Sequence, residues 1–279
     1  MMSVHRSKGK RIVCFFFLFL ITAAMCSCGK RDEPHFRDLM SDKSVSSLWI
    51  EISDSPSGDI NWCTVYWKTS DGTENGSEEK IAPFDKKDYD FLSKMEGLDF
   101  FNPYWSDSVP AETVNRLLDH LPHAQYIGLG YCPNADFSVL KSHGHFEELV
   151  FSNHCDLTTL PVLDTRVLGL SGCDNIPWDI VSQMDTVEVI RYGEKDLLGP
   201  EVFDQLSKMK SLQTLVYNAV PYESWNWDEA MPPYKITSVD EAGEWVFDTI
   251  SRKTISHFLE DGNRTLVLLA YTPTNPGVD

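Results

Sequence analysis

The chain has 279 residues, 42 acidic against 24 basic, for a formal charge of −18, and 12% of it is aromatic. That aromatic share excludes a mostly disordered chain, and the negative field disfavours nucleic acid and anionic membrane surfaces as partners. With the four basic residues of the first 28 set aside, the remainder carries −22 (−18 less 4), on about 250 residues, enough for one large domain or two small ones.

The chain opens with Arg6, Lys8, Lys10 and Arg11, continues with an apolar run from Ile12 to Ala24, and reaches Met25-Cys26-Ser27-Cys28. A basic start and an apolar run too short to span a bilayer comfortably are the layout of a secretory signal. The end of the run resembles the lipobox of bacterial lipoproteins, in which a small residue precedes a cysteine that is lipidated after cleavage. Ser27 and Cys28 fit that pattern, while Met25 and Cys26 stand where the family usually has an aliphatic and a small residue. The resemblance implies a signal peptide over 1–27, lipidation at Cys28, and an exported protein held at the cell envelope by a lipid anchor alone. Gly29 rather than Asp after the cysteine implies an outer-membrane destination. Residues 28–44 are polar and read as a flexible tether.

Residues 45–94 read as an N-terminal hairpin-and-helix cap. Ser47 to Ile52 and Ile60 to Thr69 alternate apolar and polar residues around Asp54 to Asp59, which predicts a β-hairpin. Asp71 to Ser77 reads as turn or loop, and Asp85 to Lys94 as a helix.

From Met95 to Val220 one apolar frame recurs: Met95-x-x-Leu98-x-Phe100, Ala124-x-x-Ile127-x-Leu129, Phe146-x-x-Leu149-x-Phe151, Thr165-x-x-Leu168-x-Leu170, Met184-x-x-Val187-x-Val189 and Leu212-x-x-Leu215-x-Tyr217. The starts lie 29, 22, 19, 19 and 28 residues apart. A short strand that buries alternate residues and then turns at a small polar or thiol residue produces such a frame. This looks like a leucine-rich repeat array, with Cys132, Cys155 and Cys173 near the turn position. The resemblance implies an α/β fold: an irregular leucine-rich-repeat-like solenoid of short parallel strands over 95–235, flanked by the N-terminal cap and by a C-terminal helix-and-strand cap over 236–279. Pro110 to Leu121 and Pro200 to Met209 read as returning helices. The tighter units leave room for a turn at Leu160-Pro161 and at Ile176-Pro177-Trp178. In the last segment Ser238-Val239-Asp240-Glu241 is a capping box that opens a helix to about Glu260, followed by a strand from Arg264 to Tyr271.

Chemistry is sparse. His143, His145, His154 and Cys155 are zinc-type ligands, but the first two precede a strand and the others follow it. At ~3.3 Å per residue that puts them about 20 Å apart, so no metal is expected. The exported thiols Cys63, Cys132, Cys155 and Cys173 should be buried or paired. A buried thiol ladder is favoured over a Cys132–Cys155 or Cys155–Cys173 disulfide. No nucleophile elbow, phosphate loop or dinucleotide fingerprint occurs, and no cofactor is implied. The frame turns Phe101, Tyr126, Val150, Val167, Glu188, Ile190, Val216 and Asn218 outward on one sheet face, a surface suited to a protein partner. The reading that follows is a non-enzymatic, lipid-anchored protein-binding scaffold. The alternative is a carbohydrate-binding, or less readily carbohydrate-active, lipoprotein that uses Trp225, Trp227, Asp228 and Glu229, aromatics and acids of the kind that stack on sugar rings and hold hydroxyls.

Overall fold

The computed structural model describes residues 33–41, 47–54, 60–68, 71–102, 110–193, 198–221, 233–248 and 250–271. The signal segment, Cys28 and the Trp225–Glu229 loop lie outside them.

The chain starts with a short helix, α1 (Phe36–Ser41), then an antiparallel meander of β1 (Ser47–Asp54), β2 (Ile60–Lys68) and β3 (Glu74–Lys80), and α2 (Lys86–Leu92). Strands and connections then alternate. They run β4 (Leu98–Asn102), α3 (Ala111–Asp119), β5 (Ala124–Gly130), a 3-10 turn over Phe137–Ser142, β6 (Phe146–Ser152), β7 (Thr165–Ser171), α4 (Trp178–Val181), β8 (Val189–Gly193), α5 (Pro200–Leu206) and β9 (Thr214–Pro221). The chain ends with β10 (Tyr234–Ile236), two 3-10 turns over Val239–Glu241 and Glu244–Asp248, α6 (Arg252–Phe258) and β11 (Thr265–Tyr271). All strands join one sheet in the order β10-β11-β9-β8-β7-β6-β5-β4-β1-β2-β3. The eight from β11 to β1 are parallel, and antiparallel strands close both edges. The protein is thus α/β with a mainly parallel sheet.

Register explains the core. Phe100, Ile127, Leu149, Leu168, Ile190, Leu215 and Leu266 stand side by side on consecutive strands, and all are fully buried. A second row, Leu129, Phe151, Leu170, Tyr192, Tyr217 and Leu268, runs beside it. Each full burial is worth about 1.5–3 kcal/mol relative to exposure. The helices cover these rows with Leu117, Leu118, Phe203 and Phe258. Aromatic pairs, edge-on except for the tilted Tyr192–Tyr217 contact, link Trp178, Tyr192, Tyr217, Phe203 and Phe258. Tyr217 satisfies its hydroxyl by accepting the Leu198 N–H at 2.7 Å.

After β5, β6 and β7 the backbone turns alike: Tyr131, Asn153 and Gly172, each the first residue past its strand, all have positive φ. That left-handed residue redirects each unit away from the sheet and buries the cysteine behind it.

Five expectations change. In the fifth unit the frame is Val187-x-x-Ile190-x-Tyr192, three residues later than predicted, and in the first, Phe100 rather than Leu98 aligns with Ile127. Asp71 to Ser77 is loop only to Thr73; β3 begins at Glu74, held by its ladder to β2 and too solvated to show apolar alternation. The expected tether contains α1, whose Phe36 and Met40 are buried; with Leu39 they keep helical spacing, but six residues are too short a run to stand out in the sequence. The expected C-terminal helix is broken: its capping box forms, with Glu241 accepting from the Ser238 N–H, but Ala242 is extended and Ser251 caps a fresh start at α6. The predicted hairpin, α2, α3, α5 and final strand stand where expected, shifted by a few residues.

Candidate functional site

The face opposite the core is ordered by the same register. One row reads Tyr66, Trp49, Asp99, Tyr126, Glu148, Val167, Val189, Thr214 and Thr265, and the next Thr64, Glu51, Phe101, Gly128, Val150, Gly169, Arg191, Val216 and Val267. Val167 and Val267 are buried yet belong to no part of the main hydrophobic core, as expected of residues on the far side of the sheet.

At the β2 end the face is aromatic. Trp62 and Tyr66, 38% and 41% exposed, share one side of β2. The Tyr66 ring lies over Gly76 of β3, where an added Cβ would stand 2.9 Å from the ring. Asp99 is half-buried and takes no hydrogen bond or counter-charge among the described residues, so desolvation pushes its carboxyl above the usual range. The neighbouring Tyr126 hydroxyl is also pushed up, first by desolvation and then by the negative charge of Glu148. Further along, Arg191 of β8 reaches across β7 to pair with Glu148 of β6. By register this link passes over Gly169 and Val167. It accounts for the burial of Val167 at 3% exposure, and Gly169 leaves room for Val150, from which a Cβ there would stand 3.1 Å.

Of the predicted face, Tyr126, Val150 and Val216 lie half-buried on it, and positions 101 and 218 fall on it by register. Val167 is on it but covered. Ile190 is not: it is wholly buried on the core side, in register with Leu168. Glu188 instead lines a groove of about 740 Å³ near the starts of β6 to β9, together with His145, Arg166, Asp185 and Lys210. Both errors come from the three-residue slip in the fifth unit. Asp99, Arg191, Trp62 and Tyr66 went unassigned. A frame starting at Val187 suits the same residues and would have turned Arg191 outward.

The histidines of the metal-type set have separate partners. His143 donates through Nε2 to the Leu118 carbonyl at 2.9 Å, and burial pushes its pKa down. His145 donates to Asp164 at 2.7 Å, and His154 to Asp174 at 3.2 Å. Another group, His35, Asp85 and Asp88, has ligand-type atoms within 4.8 Å of one another. There the Arg37 guanidinium already lies 2.7 Å from Asp85 and 2.9 Å from Asp88, and backbone N–H groups of Arg37 and Asp85 fill Asp88 further. A cation would have to displace the arginine, so the donor set is a structural cap for α2. Among the described residues no helix is long and apolar enough to cross a membrane. Comparison with protein-family models, curated proteins and solved structures gives no match for the chain.

Proposed function

We propose that the protein is a lipid-anchored cell-envelope scaffold, held at an outer membrane through Cys28, that binds a protein partner without catalysing a reaction. Its repeating units form a leucine-rich-repeat-like solenoid closed by the meander at one end and the α6–β11 segment at the other. The observation that carries the reading is the second sheet face. Two rows run in register across the parallel strands, mixed in burial and in chemistry, while the first face is consumed by the core. Sequential strand order and the repeated left-handed turn support the solenoid.

Val150 is the best probe, because it is partly exposed and central. Val150→Arg should leave secondary structure and thermal melting close to wild type and remove specific partners from a cross-linked membrane pull-down. An identical partner list from a folded variant overturns the scaffold reading. Metabolic labelling with a fatty-acid analogue should disappear in Cys28→Ala, and label retained there refutes the anchor. A glycan ligand is the second reading, favoured by exposed Trp62 and Tyr66 on the same sheet face as Asp99, a carboxylate with no partner among the described residues. Tryptophan quenching by a soluble glycan, lost in Trp62→Ala, would move the assignment there.

A further inference from the structure

Two thiols meet where the turns after β5 and β6 stack. Cys132 and Cys155 are 3% and 0% exposed, and consecutive carbonyls of β5 receive them: Gly130 O lies 3.7 Å from Cys132 Sγ, and Leu129 O lies 3.8 Å from Cys155 Sγ. The second contact crosses from one unit to the next. His154 adds a second left-handed residue after Asn153, so Cys155 comes one residue later in its unit than Cys132 and its thiol is carried onto the neighbouring strand. With their sulfurs on adjacent carbonyls of one strand, the two thiols are near enough to shift each other's ionisation. Cys173 follows a single left-handed residue, Gly172, and its thiol stays over its own unit, 3.9 Å from Ser171 O. Adjacent strands lie ~4.8 Å apart, within the Cα separation that a disulfide spans.

We propose that Cys132 and Cys155 are a disulfide-forming pair that closes when the chain folds in the presence of a small disulfide oxidant, stapling the turns after β5 and β6. The proposal selects one of the two pairings the sequence left open and extends the export reading, because an oxidising compartment supplies such an oxidant. In the folded state the contact with Cys132 pushes the Cys155 thiol down, and the contact with Cys155 pushes the Cys132 thiol up. One of the two cysteines, as its thiolate, attacks the oxidant's S–S bond, forming a mixed disulfide and expelling one thiol. The other cysteine then displaces the second, and the two protons leave on the two thiols released. Both sulfurs are covered in the folded state, so closure accompanies folding and native protein reacts slowly.

The test is refolding of the full chain in oxidised and reduced glutathione, followed by alkylation and peptide mass spectrometry. A Cys132–Cys155 cross-linked peptide is expected in wild type and in Cys173→Ala, and is absent from Cys132→Ala and Cys155→Ala. Closing the loop should raise the melting temperature by about 6–12 °C over the reduced protein. A Cys155–Cys173 cross-link, glutathione adducts on both cysteines, or full alkylation of the pair after refolding overturns the proposal. The same alkylation on protein taken from cells reads the compartment separately: a pair that closes in glutathione but is reduced in cells retires export and leaves the pairing intact.

Discussion

Arg264 should be among the most costly single residues to remove, although it touches no candidate site. It is 5% exposed at the entry to β11, and its guanidinium donates to Phe258 O at 3.1 Å, Ser207 O at 2.8 Å and Met209 O at 3.0 Å. Those oxygens belong to the ends of α6 and α5, where helices leave carbonyls without partners and where the helix dipole favours a cation. One planar fork therefore caps two helices and ties both to the last parallel strand. A hydrogen bond to a charged group nets about 1.5–3 kcal/mol, so three give a ceiling of about 4.5–9. Desolvation of the cation and ordering of its long side chain reduce that sum, and Arg264→Met should cost about 3–5 kcal/mol in urea unfolding at constant m-value. Arg264→Lys should recover only part, because a single ammonium cannot match the fork. The ion pair with Asp261 at 3.1 Å is a different matter: that carboxylate is 64% exposed, so Asp261→Asn should cost less than about 0.5 kcal/mol. A loss below about 1 kcal/mol in Arg264→Met, or an equal loss in Asp261→Asn, would refute capping as the source.

Three further outcomes follow from the register and the carboxylates. Ile190→Ala should destabilise by about 2–4 kcal/mol and Arg191→Ala by less than about 1, and the reverse order in chemical denaturation would restore the earlier frame. Asp99→Asn should be stabilising at pH 7, by up to about 1 kcal/mol at a partly solvated position. The native carboxyl is raised, so its handicap is full above the native pKa and fades as pH falls toward the unfolded value; an advantage for Asn that persists at pH 3 would contradict it. Asp156 is the opposite case, lowered by hydrogen bonds from the Thr158 hydroxyl and N–H, with Asn175 adding a third. Its stabilisation is present above the ordinary carboxylate range and lost as pH falls through the depressed native value, so Asp156→Asn should flatten the acid limb of the stability profile.

The α/β class and most of the parallel ladder were legible because a strand that must bury alternate residues leaves a pattern no loop imitates for long. Ala124 to Leu129, Phe146 to Phe151 and Thr165 to Leu170 stand in the predicted register. Where the pattern failed, two frames competed. Met184, Val187 and Ile190 are all fully buried, so periodicity alone could not say whether the fifth unit began at Met184 or at Val187. The tertiary ladder decides it, through pairing of Val189 with Val167 and with Thr214. The polar strand β3 and the short α1 escaped for a different reason. Their stability comes from partners distant in sequence: the backbone of β2 in one case, Asp85 and Asp88 in the other.

The candidate surface was less legible than the core because a binding face carries no periodic requirement of its own. Its position is inherited from the core register, so a slip of three residues in one strand exchanged a buried Ile190 for an outward Arg191. That exchange alters the chemistry assigned to the face. With Arg191 outward, Glu148 is neutralised and Val167 covered, which leaves Asp99 as the acid without a counter-charge on its row among the described residues. A half-buried carboxylate with no partner among the described residues costs stability. On a chain of −18 it is the position on this face where a donor from a ligand would gain most, whether a cationic side chain or a sugar hydroxyl beside Tyr126. Asp99 on β4 lies between the two probes, Val150 on β6 and Trp62 on β2, and the chemistry of what binds beside it separates the two readings.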